Sequence, residues 1–176
     1  MERLTELPGA APDTARRQVT ALYQAHALGL VRLAVIMTGD QPTAEDVVQD
    51  AFLALYRRWP TLKDPDRALA YARSSVLNGC RMVHRARSRH EAGPLAVPED
   101  VESAEETALL GEANREVLAA LRLLPARQRE AVALRYYLDM TEDQAARAMR
   151  VSKGTVKSAT SRGLAALARL LKEENP

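Results

Sequence analysis

Cysteine is almost missing from this chain: Cys80 is the only one in 176 residues. A single thiol builds neither an intrachain disulfide framework nor a cysteine-based metal cluster, and within a helical pattern it reads as a small core residue. Aromatic residues make up 4% against 47% hydrophobic residues, most of them Ala, Leu and Val, which favours helix over sheet. No window approaches eighteen consecutive apolar residues, so no membrane insertion is expected. The N-terminus, MERLTELPGAAPDTARR, has no apolar run of the signal-peptide kind, and a cytoplasmic protein is the expectation. Catalytic signatures are missing too. There is no nucleophile elbow, phosphate loop, dinucleotide fingerprint or HExxH. His26, His84 and His90 are not spaced to share a helical face at i, i+4, so no metal site, no cofactor and no enzymatic activity are expected.

What is present is segregated charge. The length fits one medium domain or two small ones, and the formal net charge of +2 says little by itself. From Arg67 to His90, however, there are six Arg and no acid, and from Glu91 to Glu106 there are six acids and no base. Arg150 to Arg169 holds five Lys or Arg, again with no acid. Two basic regions divided by an acidic strip suggest two nucleic-acid-facing modules and a connector.

Taken in order, residues 1–17, with Pro8, Gly9 and Pro12, read as a mobile tail. Val19, Leu22, Tyr23, Leu30, Val31, Ala34 and Met37 recur with helical spacing. Gly39 and Pro42 end that helix, and Thr43 is expected to cap the next, TAEDVVQDAFLALYRRW. Its core face should be Val47, Ala51, Phe52, Leu55, Tyr56 and Trp59, leaving Glu45, Asp46, Gln49, Asp50 and Leu53 on another side. Acids near a helix start complement the macrodipole; the same residues also fit a docking face for a basic partner, with Leu53 as its apolar centre. After the loop TLKDPD comes a third helix with Leu69, Ala72, Val76, Cys80 and Val83 inward and Tyr71, Asn78, Arg81 and Arg85 outward. Asn and Arg with a nearby aromatic suit an unpaired strand, through base-edge hydrogen bonds, phosphate contacts and stacking. A weakened helix with a half-buried Tyr71 fits equally. Residues 91–108 are rich in Pro, Gly and acid and read as an extended linker. Residues 109–173 then read as four helices, broken at Pro125 and before Thr141.

The last two of these helices, TEDQAARAMRVSKGTVKSATSRGLAALARLL, are the most informative stretch. Thr141 and Gln144 form a capping-box pattern, Arg150-Val151 breaks the chain, and Ser152 is a good N-cap. Val156, Ala159, Gly163, Leu164, Leu167 and Leu171 make a buried stripe, with Lys157, Ser158, Ser161 and Arg162 opposite. A short helix, a tight break and a basic, hydroxyl-bearing second helix are the elements of a helix-turn-helix. An amphipathic hairpin with a solvated basic face has the same periodicity.

Four segments together carry a resemblance: AEDVVQDAFLALYRRW at 44–59, YARSSVLNGCRMVHRARSR at 71–89, LLPARQREAVALRYYLDMTEDQAA at 123–146 and VSKGTVKSATSRGLAAL at 151–167. In this order the chain resembles a bacterial extracytoplasmic-function sigma factor of the short two-domain type, over roughly residues 18–173. The resemblance implies an all-α fold of two small helical domains, a sigma-2 domain at 18–90 and a sigma-4 domain at 109–176, the second ending in the helix-turn-helix, joined by a flexible acidic linker at 91–108. It implies a protein that binds core RNA polymerase and directs promoter-specific initiation. By that resemblance Asp46, Gln49, Asp50 and Leu53 dock on the β′ coiled coil. Leu62, Lys63, Tyr71, Asn78, Arg81, Arg85, Arg87 and Arg89 read and open the minus-10 element. Lys153, Thr155, Lys157, Ser158, Ser161 and Arg162 meet the minus-35 element. Relatives often carry Arg or Gln where this chain has Ala159. Further implied partners are the β flap, double-stranded and melted promoter DNA, and an anti-sigma factor. A helix-turn-helix repressor or activator that binds operators as a dimer is the alternative, as is a sigma-like protein that binds polymerase without initiating.

Overall fold

The computed structural model describes residues 10–90 and 112–173. The acidic segment 91–108 and residues 1–9 lie outside the described residues. Three helices form the first module: α1 (Ala10–Thr38), α2 (Gln41–Arg58) and α3 (Ala68–His90), with short 3-10 turns at Trp59–Thr61 and Pro65–Arg67. Four form the second: α4 (Glu112–Leu123), α5 (Ala126–Val132), α6 (Glu142–Met149) and α7 (Lys153–Glu173). The last turns after α5 widen into a π-helical segment, Ala133–Tyr137, where Leu138 N–H bonds the carbonyl of Ala133 at 3.1 Å. Among the described residues there is no strand, in line with an all-α chain.

Helix α1 begins at Ala10, inside the stretch expected to be a tail. Pro12 is no obstacle there, because the first turn of a helix has no intrahelical acceptor for its N–H groups. By length and composition, Asp13–Thr38 is apolar enough to cross a membrane; Leu30, Leu33, Ala34, Val35, Ile36 and Met37 belong instead to the protein core. Gly39, at φ +79°, ends the helix in the left-handed region as its C′ position requires. The cap of α2 is Asp40, not Thr43: its carboxylate accepts from Thr43 N–H at 2.9 Å, and Pro42 sits harmlessly in the first turn.

The core of the first module is where α2 and α3 cross over α1. Val47, Val48, Ala51, Phe52 and Leu55 are buried from α2, and Ala68, Ala72, Val76, Leu77 and Cys80 from α3. Tyr56, expected inside, is 41% exposed. Tyr23 lies edge-on to Phe52, with ring centroids 5.0 Å apart. Gly79 lets α2 and α3 approach, since a Cβ there would fall 2.7 Å from Val47 Cγ1. Alanine improves helix propensity by about 1 kcal/mol, but overpacking a β-branched neighbour costs about 1–3 kcal/mol. Gly79→Ala should therefore lower stability in urea unfolding, and Val47→Ala in the same chain should recover part of the loss. A higher urea midpoint for Gly79→Ala alone would contradict this close approach.

In the second module α7 packs on α5 and α6, with Val156 and Leu134 fully buried. Buried Arg129 donates to the carbonyl of Arg122 at 2.9 Å, at the end of α4 where helix carbonyls lack intrahelical donors. The two modules also touch. Helix α1 packs against α4, α5 and the π-helical segment, and α3 packs against α6, so the buried apolar residues of both modules form one cluster.

Candidate polymerase and nucleic-acid interfaces

Three surfaces carry the residues singled out above. On α2, Asp46, Gln49, Asp50 and Leu53 are spaced i, i+3, i+4 and i+7 and emerge together opposite the buried face. All four are exposed, Leu53 by 50%. Among the described residues neither Asp46 nor Asp50 has an ion pair, whereas Glu45 accepts from Gln41 at 2.9 Å. Two carboxylates one helical turn apart repel each other weakly, so the fold gains nothing from placing them beside an exposed leucine.

The second surface comprises the turn after α2 and the outer side of α3. Asp64 caps the second 3-10 turn, accepting from Asp66 N–H at 3.1 Å, and pairs with Arg67 at 3.1 Å. Lys63 is exposed, while Leu62 and Tyr71 rest partly on the core. Arg85 and Arg89 are exposed, with Arg89 Nε donating to the Arg85 carbonyl at 3.3 Å. Arg87 donates to the carbonyl of Thr38 and lies 3.7 Å from the Asp40 carboxylate, tying the far end of α3 to the α1–α2 corner. Asn78 and Arg81 do not project into solvent as expected. Asn78 Oδ1 accepts from Arg81 Nη1 at 3.0 Å, and Arg81 reaches the second module.

The third surface is the helix-turn-helix of α6 and α7. Thr141 and Gln144 form the reciprocal capping box, at 3.2 and 2.8 Å. Arg150 takes a left-handed conformation, φ 55°, as the cap that turns the chain. Ser152 then caps α7 by accepting from Thr155 N–H at 3.1 Å, and the two hydroxyls lie 2.9 Å apart. Lys153 is held by Asp143 at 2.7 Å, which staples the starts of the two helices. Lys157, Ser158, Ser161 and Arg162 form an exposed outer face. Arg162 Nε bonds the Ser158 carbonyl at 3.2 Å, so its guanidinium lies along the helix. Ala159 is only 4% exposed. It faces the core beside Val156, so it is not a vacant base-reading position.

Two family models match, in the order of the two modules: "Sigma-70 region 2" over residues 22–90 and "Sigma-70, region 4" over residues 114–167. The RNA polymerase sigma-E factor of Streptomyces coelicolor is 35% identical over 139 residues, covering 78% of this chain and 77% of the relative. This chain is a sigma-70-family sigma factor of the extracytoplasmic-function group. The ECF RNA polymerase sigma factor SigL of Mycobacterium tuberculosis is 30% identical over 183 residues and 97% of each chain. The same fold occurs in the solved structure of the sigma factor RpoE in complex with the anti-sigma factor NepR from Bartonella quintana. That match has a TM-score of 0.69 and 23% identity, and it covers 91% of this chain and 98% of that one. CnrH in complex with the cytosolic domain of CnrY gives a TM-score of 0.67 and 23% identity, over 94% and 99%. As a sigma factor, the protein directs promoter-specific transcription initiation through RNA polymerase, acting on DNA in the cytoplasm.

One partly buried ion pair of this sigma factor is not encoded in any local pattern of its sequence. Glu130 of α5 has a side chain only 6% exposed and faces Arg81 of α3, 23% exposed. Arg81 Nη2 donates to Glu130 Oε1 and, at 3.2 Å, to the Ala148 carbonyl of α6; Nε lies 3.4 Å from Glu130 Oε2. Burial pushes the Glu130 carboxyl above the usual carboxylate range, and the Arg81 hydrogen bond and charge oppose that. The neighbouring Cys80 thiol is pushed up to about 12, first by burial and then by the Glu130 charge, which leaves it unreactive. The available signal was slight: Glu130 follows Arg127-Gln128-Arg129 and stands immediately before the apolar run Ala131-Val132-Ala133-Leu134, and helix periodicity does not name its partner.

Proposed function

We propose that this sigma factor docks on the β′ coiled coil of core RNA polymerase through Asp46, Gln49, Asp50 and Leu53. The observation that carries this reading is an acidic face with an apolar centre on α2 that is left without ion-pair partners among the described residues. Around it, Leu62, Lys63, Tyr71, Asn78, Arg81, Arg85, Arg87 and Arg89 read and open the minus-10 element. Asn78 captures a flipped base, and the arginines hold the strand backbone. Lys157, Ser158, Ser161 and Arg162 meet the minus-35 duplex in the major groove, with Lys153 and Thr155 at the helix start. The sigma-4 domain also contacts the β flap. The protein works by binding, with no catalytic residue of its own and no cofactor, and it joins the nucleoid when bound to polymerase. An anti-sigma factor is a further partner, supported by the two similar folds solved as complexes, one of them with a named anti-sigma factor.

Run-off transcription with purified core polymerase on fragments of the host genome tests this reading. New discrete transcripts whose start sites share two upstream elements are expected. Absence of transcripts together with a palindromic footprint by the protein alone would replace it with an operator-binding dimer. Arg162→Ala should weaken recognition of the preferred minus-35 sequence by about 1–3 kcal/mol if the guanidinium swings off Ser158 onto a base. An equal loss on every sequence would make it a phosphate contact.

A further inference from the structure

We propose that Asp143 is a positioning residue for minus-35 recognition: its ion pair holds the Lys153 ammonium off the DNA phosphates and leaves it to the base edges. This rests on the reading of α7 as the helix that enters the major groove. Lys153 is the first residue of α7 and lies on the outer face one turn before Lys157. A cation at that end of a helix opposes the macrodipole, and α7 has no acid nearby to offset it, since Arg150 to Arg169 holds none. The acid comes from α6. Asp143 Oδ1 lies 2.7 Å from Lys153 Nζ, and Asp143 itself sits in the first turn of α6, where a carboxylate suits the helix dipole. Lys157 and Arg162, on the same outer face, have no carboxylate partner among the described residues. The one paired cation is therefore the one at the helix start.

The pairing sorts the targets open to Lys153. A free ammonium on a flexible stem is a point charge, and phosphate attracts it whatever the sequence. Beside Asp143 the two charges largely cancel, so the long-range pull toward phosphate is lost, and a phosphate oxygen approaching Lys153 also meets the carboxylate. Hydrogen bonding survives this cancellation. An ammonium has three donors; one goes to Asp143, and the others remain for guanine O6 and N7, which are neutral acceptors. Both side chains are open to solvent, Lys153 by 61% and Asp143 by 51%. A pair so exposed contributes little to folding, and a duplex laid on α7 reaches it without any rearrangement of the core. Lys157, which has no such partner, stays available to the phosphates of any sequence.

The test uses holoenzyme assembled from core polymerase and the full-length protein, with two labelled promoter duplexes that differ only in an intact or a scrambled minus-35 element. Affinity for each is followed by fluorescence anisotropy across a salt series. Asp143→Asn keeps the side-chain shape and removes the charge. It should tighten binding to the scrambled duplex and steepen the log-log salt dependence by about 0.9, for the one phosphate gained. It should also lower the preference for the intact element by about fivefold or more, the loss of one base contact. Asp143→Glu should keep the wild-type preference and slope. Glu142→Gln, which removes the neighbouring exposed acid, controls for charge and should change neither. Lys153→Gln should lose the same preference with the slope unchanged, and it carries the test if Asp143→Asn does not fold. Wild-type slope and preference in a folded Asp143→Asn protein would overturn the proposal. So would a Lys153→Gln slope shallower by about 0.9, which marks a phosphate contact in the wild type. A Lys153→Gln holoenzyme identical to wild type in both properties would instead remove the start of α7 from the DNA, and the reading of Lys153 as a minus-35 contact would fail.

Discussion

Asp50→Arg should abolish transcription while leaving a folded, slightly more stable protein. Asp50 is exposed in the middle of α2, and no ion pair is lost among the described residues. Arginine is the better helix former by a few tenths of a kcal/mol, and surface substitutions of this kind usually stay within about 0.5 kcal/mol. The change also relieves the repulsion between Asp46 and Asp50. Placed against a basic partner, the same substitution replaces an attraction with a like-charge contact, which costs several kcal/mol. A loss of about 3 kcal/mol lowers affinity for core polymerase more than a hundredfold. Pull-down of core polymerase by the variant, alongside its thermal unfolding curve, separates the two effects. Wild-type affinity in a folded Asp50→Arg protein would remove α2 from the docking surface.

How much of this was legible in the sequence differs between levels. The capping box at Thr141 and Gln144, the left-handed end at Gly39 and the breaks around Pro125 and Arg150 follow from local chemistry, and the structure has all of them. The two-faced pattern of α2 was readable for the same reason, except for Tyr56. A tyrosine is amphipathic, and at the edge of an apolar stripe it can lie on either side. Helix starts were misplaced at Ala10 and at Asp40, in both cases because a proline read as a stop is tolerated in a first turn. The pairing of Arg81 with Glu130 was not legible at all. It joins residues 49 apart in sequence, and no local period encodes which buried acid meets which arginine. Ala159 shows the converse: helical spacing placed it in the inward stripe, and that spacing was a better guide than likeness to relatives with longer side chains.

Two glycines in α7, the helix proposed to read DNA, should respond to substitution with opposite signs. Gly154 lies in the first turn, where an added Cβ would meet only Ser152 Oγ at 3.8 Å. Gly154→Ala should therefore stabilise the protein, by up to about 1 kcal/mol, through helix propensity and a less free unfolded chain. Gly163 lies where α7 crosses α5. A Cβ there would fall 2.7 Å from Val132 Cγ2, 3.2 Å from the backbone oxygen of Gln128 and 3.3 Å from Gln128 Cβ. Val132 could move only against the packed core around it, and the carbonyl belongs to the helix itself. Gly163→Val adds three carbons to this crossing, so the overpacking penalty should reach the upper end of its usual range, about 3 kcal/mol. Valine also lacks the propensity gain that alanine would supply. Because Gly163 touches α5 and not the outer face, the damage should reach minus-35 recognition through loss of the α5–α7 contact. Transcription from two-element promoters should collapse, while core binding through α2 in the other module persists. Thermal unfolding of the two single variants checks the signs. A Gly163→Val protein as stable as wild type would mean that α7 sits farther from α5 than this crossing requires, and the exposed basic face would then need to be set by something other than that packing.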